Sequence, residues 1–120
     1  MTSQHNTLIP ALVAPLAIAA AAVVTNAAAH KTYIRGYSLH NTGNTVQTVY
    51  LYLVQNVAGN AGAAATANEV AVHVLGPYAT LDREVPGPIG WALEGTNDTL
   101  QAKSTTASVV NLTAEGEVMT

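Results

Sequence analysis

The stretch that decides the fold is residues 31–54, KTYIRGYSLHNTGNTVQTVYLYLV. Apolar and polar residues alternate in both halves with the two-residue period of a β-strand. The alternating apolar positions are Tyr33, Tyr37 and Leu39 in the first half and Val49, Leu51 and Leu53 in the second. Between the halves, residues 41–45 (NTGNT) carry the side chains that favour a tight turn. The stretch therefore predicts a long β-hairpin.

Length and composition predict one domain that assembles with other subunits. The chain has 120 residues and no cysteine, which excludes a disulfide framework and a thiolate metal site. Only 9% of its residues are charged, against about 25% in an ordinary soluble domain. Such a deficit is typical of a surface that other subunits cover. With four Lys and Arg in total and a net charge of −3, the chain is poorly suited to bind nucleic acid.

The beginning of the chain is polar and then rich in Ala and Val, with Pro10 and Pro15 inside the apolar run of residues 8–29. A signal peptide or a membrane span is one interpretation of such a run. However, no Lys or Arg precedes it, and the prolines would disrupt a helix. We therefore predict an extended arm over residues 1–19 that lies on another protein surface, with no membrane partner. Its predicted partner-binding residues are the apolar ones, Leu8, Ile9, Pro10, Leu12, Val13, Pro15, Leu16 and Ile18.

The remaining sequence predicts further short strands, and the turns between them are closely spaced. Val70, Val72 and Val74 alternate with Glu69, Ala71 and His73, which predicts a half-buried strand. The other predicted strands are residues 20–26, 79–85, 99–103 and 107–114, with a short or edge strand at Trp91 and a long loop over residues 55–68. For the first of these, an Ala-rich helix over residues 17–24 is the alternative. Residues 20–120 are therefore predicted to form a single all-β domain, an antiparallel β-sandwich or jelly-roll-like barrel.

The sequence carries no pattern that indicates catalysis or a cofactor. His5, His30, His40 and His73 stand at unrelated spacings, without the carboxylate pairing of a zinc site. Asp82 and Glu84 would lie about 7 Å apart on one strand face, a separation at which two carboxylates could serve a glycosidase. An exposed, charged strand face is the more common interpretation of this pattern. We predict no catalytic, metal or cofactor-binding residue, and a protein that is not an enzyme.

Two long segments carry a resemblance to a known group of proteins. They are residues 31–54, quoted above, and residues 79–118, ATLDREVPGPIGWALEGTNDTLQAKSTTASVVNLTAEGEV. Strands at residues 32–41 and 48–54, the turn at residues 97–100, the polar stretch 101–107 and a final strand ending in Gly-Glu follow the same order in small β-sandwich virion proteins of tailed bacteriophages. The chain resembles that group over about residues 20–118. It departs from the pattern in its Ala-rich first segment and in residues 86–88.

The resemblance implies a non-enzymatic structural protein of the virion, most specifically a capsid decoration (cement) protein. Such a protein would sit on the outer surface of the capsid as a homotrimer and stabilise contacts between major capsid proteins. A neck, tail or fibre-base component is the alternative within the virion. A secreted carbohydrate-binding β-sandwich is the alternative outside it, with ring side chains that could stack on sugars. Those side chains are Tyr33, Tyr37, Tyr50, Tyr52, Tyr78 and Trp91.

Overall fold

In the computed structural model, which describes residues 3–8, 14–87 and 90–119, the chain is an all-β sandwich of two antiparallel sheets. The strands are β1 (Ser3–Thr7), β2 (Ala14–Pro15), β3 (Ala21–Thr25), β4 (Lys31–Asn41), β5 (Gln47–Val54), β6 (Glu69–Leu75), β7 (Thr80–Glu84), β8 (Trp91–Leu93), β9 (Thr99–Ser104) and β10 (Val110–Met119). A 3-10 turn, Thr66–Asn68, precedes β6. In these ranges no helix has the length and apolar character needed to cross a membrane.

The strands divide between two sheets that enclose one core. Sheet A has the order β1-β10-β4-β7, with β2 pairing with β10 and β8 pairing with β4. Sheet B has the order β3-β9-β5-β6. Apolar side chains from both sheets fill the space between them, among them Ile34, Leu39, Leu51, Leu100 and Leu112, each of which is fully buried.

The predicted hairpin over residues 31–54 is wrong, although both of its strands exist. β4 pairs with β10, β7 and β8 in sheet A, whereas β5 pairs with β6 and β9 in sheet B. The turn at residues 42–46 therefore carries the chain from one sheet to the other. Asn41 holds this turn: its buried side-chain amide donates to the carbonyls of Thr45 (2.8 Å) and Gly76 (3.0 Å), and its Oδ1 accepts from the Gly43 N–H (3.0 Å).

A β-bulge interrupts the alternation of β4. β10 pairs Gly116 with Ile34 and Glu115 with Gly36, so the register shifts by one residue at Arg35. An extra residue moves every later side chain to the opposite face. Tyr37 is therefore buried, whereas Tyr33 is only half-buried, and the predicted common face of these two tyrosines is wrong.

Most of the other predicted strands are confirmed, with altered bounds at some ends. β3 occupies residues predicted as a strand, and the alternative helix over residues 17–24 is not formed. β6 has the predicted bounds, and β8 is a short strand at the edge of sheet A. β10 begins at Val110 rather than at residue 107, because residues 105–109 form a turn in which Ser108 has a φ of 61°.

Candidate interaction surface

Strand β6 turns its valines away from the core. Val70, Val72 and Val74 are 38%, 45% and 69% exposed, whereas Leu75 is buried and Ala71 packs against the core. An alternating strand normally places its more apolar face inward. In β6 both faces carry apolar side chains, the three valines on one and Ala71 and Leu75 on the other, so the sequence pattern alone does not decide which face is covered.

A hydrogen bond from the core accounts for the orientation of β6. His73 points between the sheets, where its Nε2 lies 2.6 Å from the hydroxyl oxygen of Tyr37 on β4. The Tyr37 ring also stacks on Trp91, with ring centroids 5.3 Å apart and planes inclined by 18°. If β6 were rotated to bury its valines, His73 would lose this partner and the Tyr37 hydroxyl would be left unpaired inside the protein.

Burial shifts the pKa values of both members of this hydrogen bond. Removal from solvent raises the pKa of Tyr37, and the nearby positive charge of Arg83 partly opposes this. Removal from solvent lowers the pKa of His73, and Arg83 lowers it further. Both groups are thereby held in their neutral forms at neutral pH, which suits a structural contact between two sheets.

The outward valines continue into a larger apolar surface on sheet B. Tyr50 of β5 lies directly opposite Val72, so both side chains stand on the same face of the sheet. Lys103 of β9 lies opposite Tyr50 on its other side, and its Nζ is 5.0 Å from the centre of the Tyr50 ring. We call the surface formed by Val70, Val72, Val74 and Tyr50 the valine face.

The valine face is bounded by two other parts of the chain. Ile18 is 61% exposed and lines a shallow hollow with Tyr50 and Lys103. At the far end of β5, Tyr52 and Val54 are buried although they follow Tyr50 on the same strand. The loop over residues 55–68 accounts for this, since Gly62 lies against Val54 and its carbonyl accepts a hydrogen bond from the Gln101 side chain (2.9 Å). The loop therefore covers the outer face of sheet B at the Val54 end of β5 and leaves the valine face exposed.

The N-terminal residues predicted to bind a partner do not form one surface. Leu8 is half-buried, and its N–H donates to the Ala114 carbonyl (2.9 Å). Pro15 is exposed and pairs with Asn111 of β10. Leu16 is a core residue that is only 2% exposed, so the prediction that it contacts a partner is wrong. Ile18 is exposed beside the valine face, and Ile9, Pro10, Leu12 and Val13 lie outside the described residues.

The segment predicted as an arm contributes two strands to the chain's own sheet. β1 pairs with residues 115–119 of β10, and β2 pairs with Asn111 and Leu112. The extended backbone was expected from Pro10 and Pro15, and β1 and β2 pair with β10 along one edge of sheet A. The burial of Leu16 gives the physical reason, because this side chain anchors the segment in the core.

The titratable residues noted in the sequence do not come together. Across residues 3–8, 14–87 and 90–119, no group of three His, Cys, Asp or Glu side chains is placed to hold a metal ion. His40 contacts Thr80 (Nδ1 to Oγ1, 2.9 Å), and His73 contacts Tyr37. Asp82 and Glu84 are both exposed and line a groove on the outer face of sheet A.

The ring side chains considered for sugar stacking are scattered over the molecule. Tyr37 and Tyr52 are buried, and Trp91 is stacked on Tyr37 inside the sandwich. Tyr78 is 63% exposed in the turn before β7, and Tyr50 belongs to the valine face on sheet B. These rings do not form the single exposed platform that stacking on an extended sugar chain requires.

The valine face is not predicted from the sequence pattern described above, although a signal for it exists. The segment EVAVHVL has apolar residues at both of its alternating sets, with Ala71 and Leu75 in one and three valines in the other. A strand of this kind at the edge of a sheet cannot bury both faces within one small sandwich. No protein-family model matches this chain, and comparison with curated proteins finds no relative.

Proposed function

We propose that the protein is a non-enzymatic structural component of a virion, a decoration protein on the outer surface of a tailed-phage capsid. In this role it binds the major capsid protein and forms a homo-oligomer, for which the resemblance described above implies a trimer. The valine face is the observation that carries a binding role of this kind. Apolar patches rimmed by polar residues are typical of surfaces that contact other proteins.

The position of the valine face on paired strands suits assembly with a partner. Its residues lie on β5 and β6, where residues 47–52 pair with residues 69–75 in an antiparallel ladder that has one register shift. A surface that is already formed on paired strands loses little conformational entropy when it binds. On a lattice, many copies of a modest contact also act together and become persistent.

The candidate contact residues differ from those proposed on sequence alone. Leu16 belongs to the core, whereas Ile18 is exposed beside Tyr50 and joins the valine face. We therefore assign the contact with the capsid protein to the valine face together with Ile18. Lys103 at its border can supply one positive charge to an acidic partner surface.

Quantitative mass spectrometry of purified virions tests this proposal, with the major capsid protein as the internal reference. A copy number comparable with that of the capsid protein would support decoration of the shell. A much smaller copy number would place the protein in the neck, tail or fibre base. Absence from particles would overturn the proposal and favour the secreted carbohydrate-binding alternative, which binding to a glycan array would then test.

A further inference from the structure

Strand β6 has one free edge. It ends the strand order of sheet B and pairs only with β5 in the part of the chain that the structure describes. A free strand edge presents unpaired backbone N–H and C=O groups, which form a template for another strand. Proteins usually protect such edges with Lys, Pro, inward charges or bulges. Between Val70 and Leu75 the sequence contains no Lys, Arg, Asp, Glu or Pro.

Two other edge strands of the sandwich, β7 and β3, are protected. β7, at the edge of sheet A, carries Asp82, Arg83 and Glu84, and all three are exposed. β3, at the other edge of sheet B, has a register shift between Ala22 and Val24, in the middle of its five residues. In β6 the register shift falls near the beginning, at Val70, so Ala71–Leu75 is regular. β6 is thus better suited than β7 or β3 to pair with another strand.

Self-pairing of β6 is compatible with its charges. In an antiparallel register centred on Val72, Val72 faces its own copy and Ala71 faces His73. Towards the ends, Val70 lies opposite Val74 and Glu69 opposite Leu75, where the register shift at Val70 interrupts the regular ladder. The two Glu69 residues then stand about 20 Å apart, six residues along the strand. The same operation on β7 would set Asp82 against Asp82, which is unfavourable.

We propose that two copies of this chain associate through β6, antiparallel and centred on Val72, to form one continuous eight-stranded sheet from two four-stranded sheets B. The two-fold axis runs perpendicular to the sheet, so the valine faces of both copies lie side by side on one surface. The contact is isologous and closes at two chains. It therefore competes with the trimer that the resemblance implies.

This inference deepens the proposed structural role and rests on it for where the dimer acts. Pairing satisfies the free backbone groups of β6 and doubles the area of the valine face that is available to a capsid surface. Its test uses the purified chain alone. Failure of self-pairing therefore leaves the virion role open, and absence from particles leaves the dimer open.

Native mass spectrometry and analytical ultracentrifugation of the full chain give the oligomeric state. We expect a species of twice the 12.3 kDa chain mass. Val72→Lys would place two lysines opposite each other and raise the dissociation constant by about tenfold or more. Val46→Lys is the matched control, since Val46 is 59% exposed but lies in the turn between β4 and β5, and it should stay dimeric. Circular dichroism checks that both variants are folded.

Cysteine substitution tests the register, because the chain has no cysteine of its own. Under mild oxidation Val72→Cys should cross-link to its own copy, since paired Cβ atoms lie about 5 Å apart. Val74→Cys should not, because its copy lies about 14 Å away along the strand. Val74 is the more exposed of the two, so random collision would give the opposite order. A wild-type monomer or trimer, a dimeric Val72→Lys variant, or faster cross-linking at residue 74 would each overturn the proposal.

Discussion

The hydroxyl oxygen of Tyr37 and Nε2 of His73 are 2.6 Å apart, and this hydrogen bond joins β4 of sheet A to β6 of sheet B. The contact orients β6 so that its histidine points inward and its valines point outward. A polar pair inside the sandwich thus determines which apolar surface is exposed. The valine face, the proposed dimer and the proposed capsid contact all depend on this orientation.

The first prediction concerns pH. Burial lowers the pKa of His73 below 6.5, with Arg83 adding to the effect, so the unfolded chain binds the proton more readily than the folded one. The unfolding free energy should therefore be fully retained above pH ~6.5 and should decline as pH falls from there through the folded pKa. Urea unfolding between neutral and mildly acidic pH measures this decline.

His73→Gln should remove the His73 contribution to that decline while keeping a polar side chain near Tyr37. The matched control is His40→Gln, which changes an exposed histidine on the outer face of sheet A and should leave the decline in place. An unchanged decline in the His73 variant would show that other groups control stability in this pH range.

The second prediction concerns Asp98, which organises the turn before β9. Its carboxylate accepts hydrogen bonds from the backbone N–H (2.8 Å) and side-chain amide (2.8 Å) of Asn56 and from the Gly95 N–H (2.9 Å). Burial opposes ionisation of this group, but the hydrogen bonds outweigh it and lower the pKa of Asp98. Asp98→Asn should cost about 2 kcal/mol of unfolding free energy at neutral pH, because an amide has one oxygen and its NH2 group cannot accept the remaining hydrogen bonds.

The loss in Asp98→Asn should depend on pH in a defined direction. The stabilisation by Asp98 is present above its unfolded pKa of about 3.8 and disappears as pH falls through the lower folded pKa. The difference in unfolding free energy between the wild type and Asp98→Asn should therefore become smaller only in strong acid. Asp82→Asn, at an exposed position on β7, should change the unfolding free energy little at any pH. A loss in this control as large as that in Asp98→Asn would refute the role assigned to Asp98.

The third prediction concerns the bulge between β4 and β10. A Cβ atom on Gly116 would collide with the carbonyl oxygen of Tyr33. This oxygen belongs to the backbone, so relieving the collision would require a shift of β4. Gly116→Ala should therefore cost ~3 kcal/mol or more, or prevent folding. Gly76→Ala is the control, because nothing lies within 4 Å of its Cβ position. Thermal unfolding of the two variants should differ sharply, and similar melting temperatures would contradict the bulge.

The fourth prediction concerns the proposed capsid contact. Val74 is 69% exposed, so Val74→Lys should change the unfolding free energy by no more than about 0.5 kcal/mol. The same change places a charge in the valine face and should weaken binding to phage heads that lack the protein. Co-sedimentation with such heads measures the binding, and Val46→Lys, also exposed but outside the valine face, serves as the control. Equal binding of both variants would remove the valine face from the contact.

Several features of the fold could be predicted because they depend on neighbours along the chain. The alternation in residues 47–54 and 69–75 follows the strand period, and β5 and β6 occupy those residues. For the candidate site, Ile18 was identified from the sequence as a contact residue and is exposed, whereas Leu16 was assigned to the same role and is buried.

By itself the sequence determined that the chain is all-β and where most of its strands lie. It also determined that no disulfide bond links them, because the chain has no cysteine. Only the tertiary structure decided that β4 and β5 belong to different sheets, that Arg35 bulges, and that β6 exposes its valines. The physical reason is that a two-residue period shows that a strand has an apolar face, but not what covers it. A partner in the same sheet, a strand across the core and a second molecule all satisfy the same pattern, and contacts distant in sequence, such as Tyr37 with His73, choose between them.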